Sequence, residues 1–120
     1  MKIFAAKQLE ELVTQAEGVS RLRQHHNIHT DFDEPCQRLF NAIEPGSYIR
    51  PHRHMSVPRD ELLVAIRGSM ALVTYDDVGQ VQRVVRFGSE KYGSDLAVGV
   101  EVDPLTWHTV VALVPGSILL

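Results

Sequence analysis

Cysteine is nearly missing from this chain: Cys36 stands alone among 120 residues. One thiol closes no internal disulfide, so there is no disulfide framework and no mark of an oxidising compartment. No Cys-His motif surrounds Cys36, which therefore reads as a small packing residue. Long apolar runs are missing too, and none approaches the roughly 20 residues of a membrane span. The opening stretch MKIFAAKQLEELVTQ scatters its charges and has no apolar h-region of the signal-peptide kind. A cytoplasmic protein with no membrane partner is the expectation. An excess of basic charge is also lacking. The formal net charge is -3, whereas phosphate binding wants a basic face, so nucleic acid is not expected as a partner. Repeats, low-complexity tracts and linkers are not found, which predicts a single domain over residues 1–120.

What is present has the balance of a globular protein, with 44% hydrophobic and 22% charged residues. Near the N-terminus Ala5, Leu9, Leu12, Val13 and Ala16 recur at helical spacing and line one face. Gly18 is a plausible stop. Residues 19–36 are rich in polar groups and read as irregular. From residue 37 the chain becomes short strand-like segments: QRLFNAIE, SYIRPHRH, ELLVAIR, SMALVTYD, QVQRVVRF, AVGVEV, WHTVVALV and SILL. Gly and Pro punctuate them. Such spacing predicts an all-β sandwich or barrel over 37–120, preceded by an N-terminal helix and irregular segment over 1–36. A parallel sheet would need helical crossovers, and the pattern holds none.

Chemistry concentrates at Pro51-His52-Arg53-His54. In a strand, residues i and i+2 share a face, so His52 and His54 can aim two imidazoles at one point. Glu61 opens the next strand-like segment and can add a carboxylate. His108, far along the chain, opens another. Three imidazoles and one carboxylate suit Zn, Fe, Mn or Ni, with Cu and Co also compatible. They leave positions open on a five- or six-coordinate ion, the layout of a catalytic metal. Set against this, a lone His-x-His pair is common in solvent-facing loops.

The wider spacing resembles a known pattern. Gly46, His52, His54, Glu61 and Gly68 resemble the first signature motif of the cupin superfamily, and Gly99, Pro104, Trp107 and His108 resemble the second. The run from Arg21-x-Arg23 through Asn27-x-His29, then Gln37-Arg38-Leu39, Asn41, Glu44-Pro45-Gly46 and Arg50 through His54, is similar to the WbuC-type cupin-fold metalloproteins. The resemblance implies a cupin-type double-stranded β-helix, or jelly-roll barrel, carrying one metal on His52, His54, Glu61 and His108. It also points to bacterial surface-polysaccharide (O-antigen) biosynthesis. Three departures stand out. Six residues separate His54 from Glu61, which makes Asp60 a rival ligand, though the spacing to Gly68 favours Glu61. The glycine usual between Pro104 and His108 is absent. The chain stops at Leu120, which leaves the last strand short or unpaired.

Other polar residues divide between pocket and surface. Gln37 and Asn41 share a face with Leu39 and, if that face is inward, suggest a ligand pocket; otherwise they meet solvent. Arg50 has the parity of His52 and His54 and can receive an anion or stay a solvated rim charge. Arg53, Arg59 and Arg67 are further local basic groups. Trp107 fills space or stacks on a sugar. His29 and Tyr48 are the candidates for a general base or acid, while His25 and His26 read as surface. Three functions compete. One is a metal-dependent enzyme, an isomerase or epimerase, acting on a sugar or sugar nucleotide. The second is an iron-dependent oxygenase-type cupin. The third is a non-catalytic module that binds a small molecule. A homodimer paired through a sheet edge is expected.

Overall fold

A computed structural model describes residues 1–55 and 58–120. The helical stripe forms helix α1 (Ala6–Glu17), with Leu12 and Ala16 buried and Leu9 and Val13 partly so. Ala5 is its N-cap and Gly18 its C-cap, where the Gly18 N–H bonds back to the last turn. Among the described residues no helix is long and apolar enough to cross a membrane.

Among the described residues eight strands follow: β1 (Arg23–Asn27), β2 (Leu39–Ile43), β3 (Glu61–Arg67), β4 (Ser69–Tyr75), β5 (Val81–Gly88), β6 (Gly99–Val102), β7 (Trp107–Ala112) and β8 (Ser117–Leu119). They make two antiparallel sheets, one ordered β1-β2-β8-β3-β6 and the other β5-β4-β7. The chain is thus mostly β with one helix.

Alternation along each strand sorts side chains between two cores. In β2, Phe40 and Ala42 face α1 and pack with Leu12, Ala16, Ile28 and Ile118. Ile43 faces the other way, into the space between the sheets. There it meets Leu63, Ala65, Met70, Leu72, Phe87, Val102, Val110, Ala112 and Leu119. Met70 and Leu72 are core residues, and Val85 packs against the same cluster. Each fully buried aliphatic side chain contributes about 1.5–3 kcal/mol. Only Gly68 separates β3 from β4, the step from one sheet to the other. Its φ is +83°, and a Cβ there would lie 2.7 Å from Ser117 Cα, so a side chain would drive β8 out of the sheet.

Three expectations need correction, and a fourth, which left the last strand short or unpaired, resolves to the first alternative. Residues 19–36 are not all irregular: β1 pairs with β2 from Arg23↔Ile43 to Asn27↔Leu39, so the sheet reaches back before residue 37. RQHHN carries no apolar alternation because β1 is an edge strand, held by backbone bonds rather than by buried side chains. SYIRPHRH is not a strand; its one ladder contact is the bridge His52↔His108. Pro51 has no N–H to donate, which suits an edge rather than a ladder. Strand β2 begins at Leu39, so Gln37 lies outside it. Finally, β8 is short but not unpaired. It lies between β2 and β3 with Ser117, Ile118 and Leu119 all buried.

Candidate metal centre

Two strands carry one ligand each to the same mouth of the inter-sheet space. In β3, Glu61 has the parity of Leu63 and Ala65, and in β7, His108 has the parity of Val110 and Ala112. All four apolar residues point into the core, so Glu61 and His108 continue the same inward rows at the rim. His52 is brought to His108 by reciprocal backbone bonds, His52 N–H to His108 O at 3.0 Å and His108 N–H to His52 O at 2.9 Å. His54 follows two residues later.

The result is a tight cluster. One donor atom from each of His52, His54, Glu61 and His108 lies within 4.8 Å of the others. Glu61 Oε2 is 3.0 Å from His108 Nε2 and 3.1 Å from His54 Nε2. The imidazole centroids of His52 and His108 are 4.6 Å apart, and those of His52 and His54 are 5.3 Å apart. Ligands on opposite sides of an ion at about 2.1 Å would be about 4.2 Å apart. A pair at the 4.8 Å limit would therefore need to close by at least about 0.6 Å.

The rings are also oriented. His108 Nδ1 lies 2.8 Å from the carbonyl of Thr106, and His52 Nδ1 lies 3.0 Å from that of Arg50. A carbonyl accepts only, so each Nδ1 carries the proton and donates, and Nε2 is turned to the shared point. A backbone carbonyl fixing one ring nitrogen so that the other can ligate is a recurrent support of metal-binding histidines. The four residues could thus hold a metal ion.

Electrostatics agree. The Glu61 carboxyl is held below its ordinary range, chiefly by its hydrogen bond with His108. Burial opposes this, and the positive charges of His108 and His54 add to it. His108 has the opposite shift. Burial disfavours its charged form, but hydrogen bonding to Glu61 and Thr106 and the Glu61 charge outweigh burial and raise its pKa. One carboxylate oxygen between two ring nitrogens needs a cation among them, either protons or a metal ion.

The remaining sequence-selected residues scatter. Asp60, the rival carboxylate, is exposed and is not part of the cluster. Asn41 faces inward and is buried, and its Oδ1 has no partner among the described residues. His29 is buried as well. Its Nδ1 is 2.8 Å from the Arg38 carbonyl, and its Nε2 is without a partner among the described residues. Gln37 is exposed and spends its amide on the carbonyls of Asp31, Phe32 and Glu34, so it braces a loop rather than lining a pocket. Tyr48, the other acid-base candidate, is 73% exposed and so stands in solvent. Arg50 is exposed too, and the part of it that serves the centre is its carbonyl. Trp107 precedes His108 in β7 and so points to the opposite face, where Arg53 lies over its ring. A sugar stacked on Trp107 would not face the cluster. Thr106 was not legible as a contributor, because a carbonyl leaves no trace in residue type. The turn before it lacks the usual glycine but still uses a left-handed residue, Leu105, with φ 65°.

No curated protein matches the chain at a significant level. Residues 4–87 match a family described as a domain of unknown function (DUF6016), a span that takes in His52, His54 and Glu61 but ends before His108. That match covers most of the 120 residues, and the chain belongs to this family.

Proposed function

We propose that this protein is a cupin-type metalloprotein of the WbuC kind. In this reading His52, His54, Glu61 and His108 hold one divalent transition metal and present it to a small polar molecule. The observation that carries it is the convergence of four donor atoms, from three separated parts of the chain, within 4.8 Å. Two antiparallel sheets around a shared apolar core are compatible with a jelly-roll barrel. A bound ion would supply Lewis acidity, polarising a carbonyl or hydroxyl that enters an open coordination position. The similarity to WbuC-type proteins, with Asn41 and His29 as buried polar groups on the N-terminal side, supports a sugar or sugar nucleotide of surface-polysaccharide biosynthesis as that molecule.

The protein's own groups do the rest. The backbone carbonyls of Thr106 and Arg50 accept from Nδ1 of His108 and His52 and so aim Nε2 of each ring inward. Glu61 would neutralise part of the charge of a bound ion. The apolar floor formed by residues such as Leu72 and Val110 excludes water from one side.

A second reading, a non-catalytic binding module, draws on one observation. Of the two candidate acid-base groups, Tyr48 is turned to solvent and His29 is tied by Nδ1 to the Arg38 backbone. The donor set serves iron as well as zinc, so oxygen uptake by the iron-loaded protein separates an oxygenase from both readings.

Elemental analysis of the protein purified without added metal, beside His52→Ala and His108→Ala, tests the centre. We expect close to one equivalent in the wild type and little in either variant. Equal metal content in all three would remove the assignment.

A further inference from the structure

The segment bearing His52 and His54 needs support that strand pairing does not give. It is tied to β7 at His52, and upstream by Thr109 Oγ1, which donates to the Ile49 carbonyl at 2.6 Å. Beyond His52, no backbone bond joins Arg53, His54 or Met55 to a strand among the described residues. His54 is nevertheless 3.1 Å from Glu61.

The Arg53 side chain is the tie that remains. Its guanidinium carbon lies 4.8 Å from the centroid of the Trp107 ring, and its Nη1 is 3.1 Å from Asp77 Oδ1 in the turn after β4. Trp107 adjoins His108, just as Arg53 lies between His52 and His54. Arg53 and Trp107 therefore meet behind the two segments, while His52, His54 and His108 meet in front. We infer that Arg53 is a positioning residue for the metal centre: its guanidinium, seated between the Trp107 ring and the Asp77 carboxylate, fixes where His54 stands relative to His108. This inference rests on the metal-centre reading above.

The bland alternative is an ordinary surface ion pair. Asp77 is 84% exposed, and such pairs contribute little by themselves. Two observations speak against it. Arg53 Nε is withdrawn from water with no partner among the described residues, a cost that a free rim arginine would relieve by swinging outward. Its guanidinium also lies over an aromatic ring while Nη1 reaches Asp77, and the point charge of a Lys would keep the attraction to the ring but not the flat, forked contact.

Titration with Co(II), followed by its visible absorption, tests the assignment on wild type, Arg53→Ala, Arg53→Lys and Trp107→Leu, with the melting of each metal-free protein alongside. Loss of a residue that orients metal ligands costs about 10–100-fold in affinity. Arg53→Ala is expected to bind Co(II) that much more weakly and to shift the ligand-field bands as His54 moves, at a melting temperature near wild type. Arg53→Lys should recover part of the affinity, and Trp107→Leu should repeat the loss by removing the seat instead of the arginine. If Arg53→Ala does not fold, Trp107→Leu and Arg53→Lys carry the comparison. Wild-type affinity and band shape in the variants would overturn the positioning role while leaving the centre intact. A wild type that takes up no Co(II) would defeat the centre itself.

Discussion

The two ends of the space between the sheets have opposite chemistry. At the closed end β4, β5 and β7 supply Met70, Phe87 and Ala112, all at most 4% exposed. Four residues along β4, about 13 Å at strand rise, Thr74 pairs with His108 and the space becomes a polar mouth. The dry end gains from burial and asks little of side-chain orientation. The mouth gains nothing from burying imidazoles and a carboxylate unless they bond one another or a cation. One end therefore holds the fold, and the other, seated on it, is free to hold an ion.

The largest test of that division strikes the dry end. Phe87→Ala empties a fully buried site and should lower unfolding stability by about 3–5 kcal/mol in denaturant titration. Co(II) affinity of the folded protein should stay close to wild type. A parallel collapse of affinity at native conditions would show that the two ends are one unit.

Acidity strikes the mouth. Each imidazole must shed a proton to ligate, so metal binding should weaken by about 1.4 kcal/mol per pH unit for each imidazole protonated below its pKa. Metal-free protein should respond in the opposite sense. The raised pKa of His108 stabilises the fold below the ordinary value of 6.5, and that contribution is lost as pH rises through the raised value. The lowered pKa of Glu61 stabilises above 4.5 and is lost as pH falls through the lowered value. Melting curves should therefore show the metal-free protein gaining most from this pair between 4.5 and 6.5. The stabilisation by added metal should grow on the alkaline side. Parallel pH profiles with and without metal would contradict the shared site.

The smallest change concerns the turn that presents Thr106 to His108. Leu105 adopts φ 65°, a conformation that costs an ordinary side chain about 1–2 kcal/mol. Leu105→Gly should raise stability by up to about 1 kcal/mol and leave metal affinity unchanged. A destabilised variant would mean that the half-exposed Leu105 side chain contributes more by packing than its backbone loses.

Much of this was legible from residue order, and the failures have causes. The α1 stripe and β3 announce themselves because an apolar face must repeat at the period of its element. β1 does not: Arg23, His25 and Asn27 lie along an edge and its order comes from Leu39–Ile43 beside it. The His-x-His pair was read as converging because of strand alternation. It converges, but outside a strand, through one bridge to His108. Gln37 and Tyr48 were selected by type and parity. Parity failed for Gln37 and Tyr48 because both lie outside any strand, and Trp107, chosen by type alone, faces away from His108.

By itself the sequence determined a β-rich chain with one leading helix, and a set of donors chemically suited to a metal. Periodicity and side-chain chemistry are local properties and survive without coordinates. The spacing to Gly68 already favoured Glu61 over Asp60, but only the tertiary structure decided that Thr106 and Arg50 aim two of the histidines and that Arg53 lies over Trp107. Those contacts join residues whose proximity depends on how two sheets close over a common core, and no spacing along the chain encodes that distance.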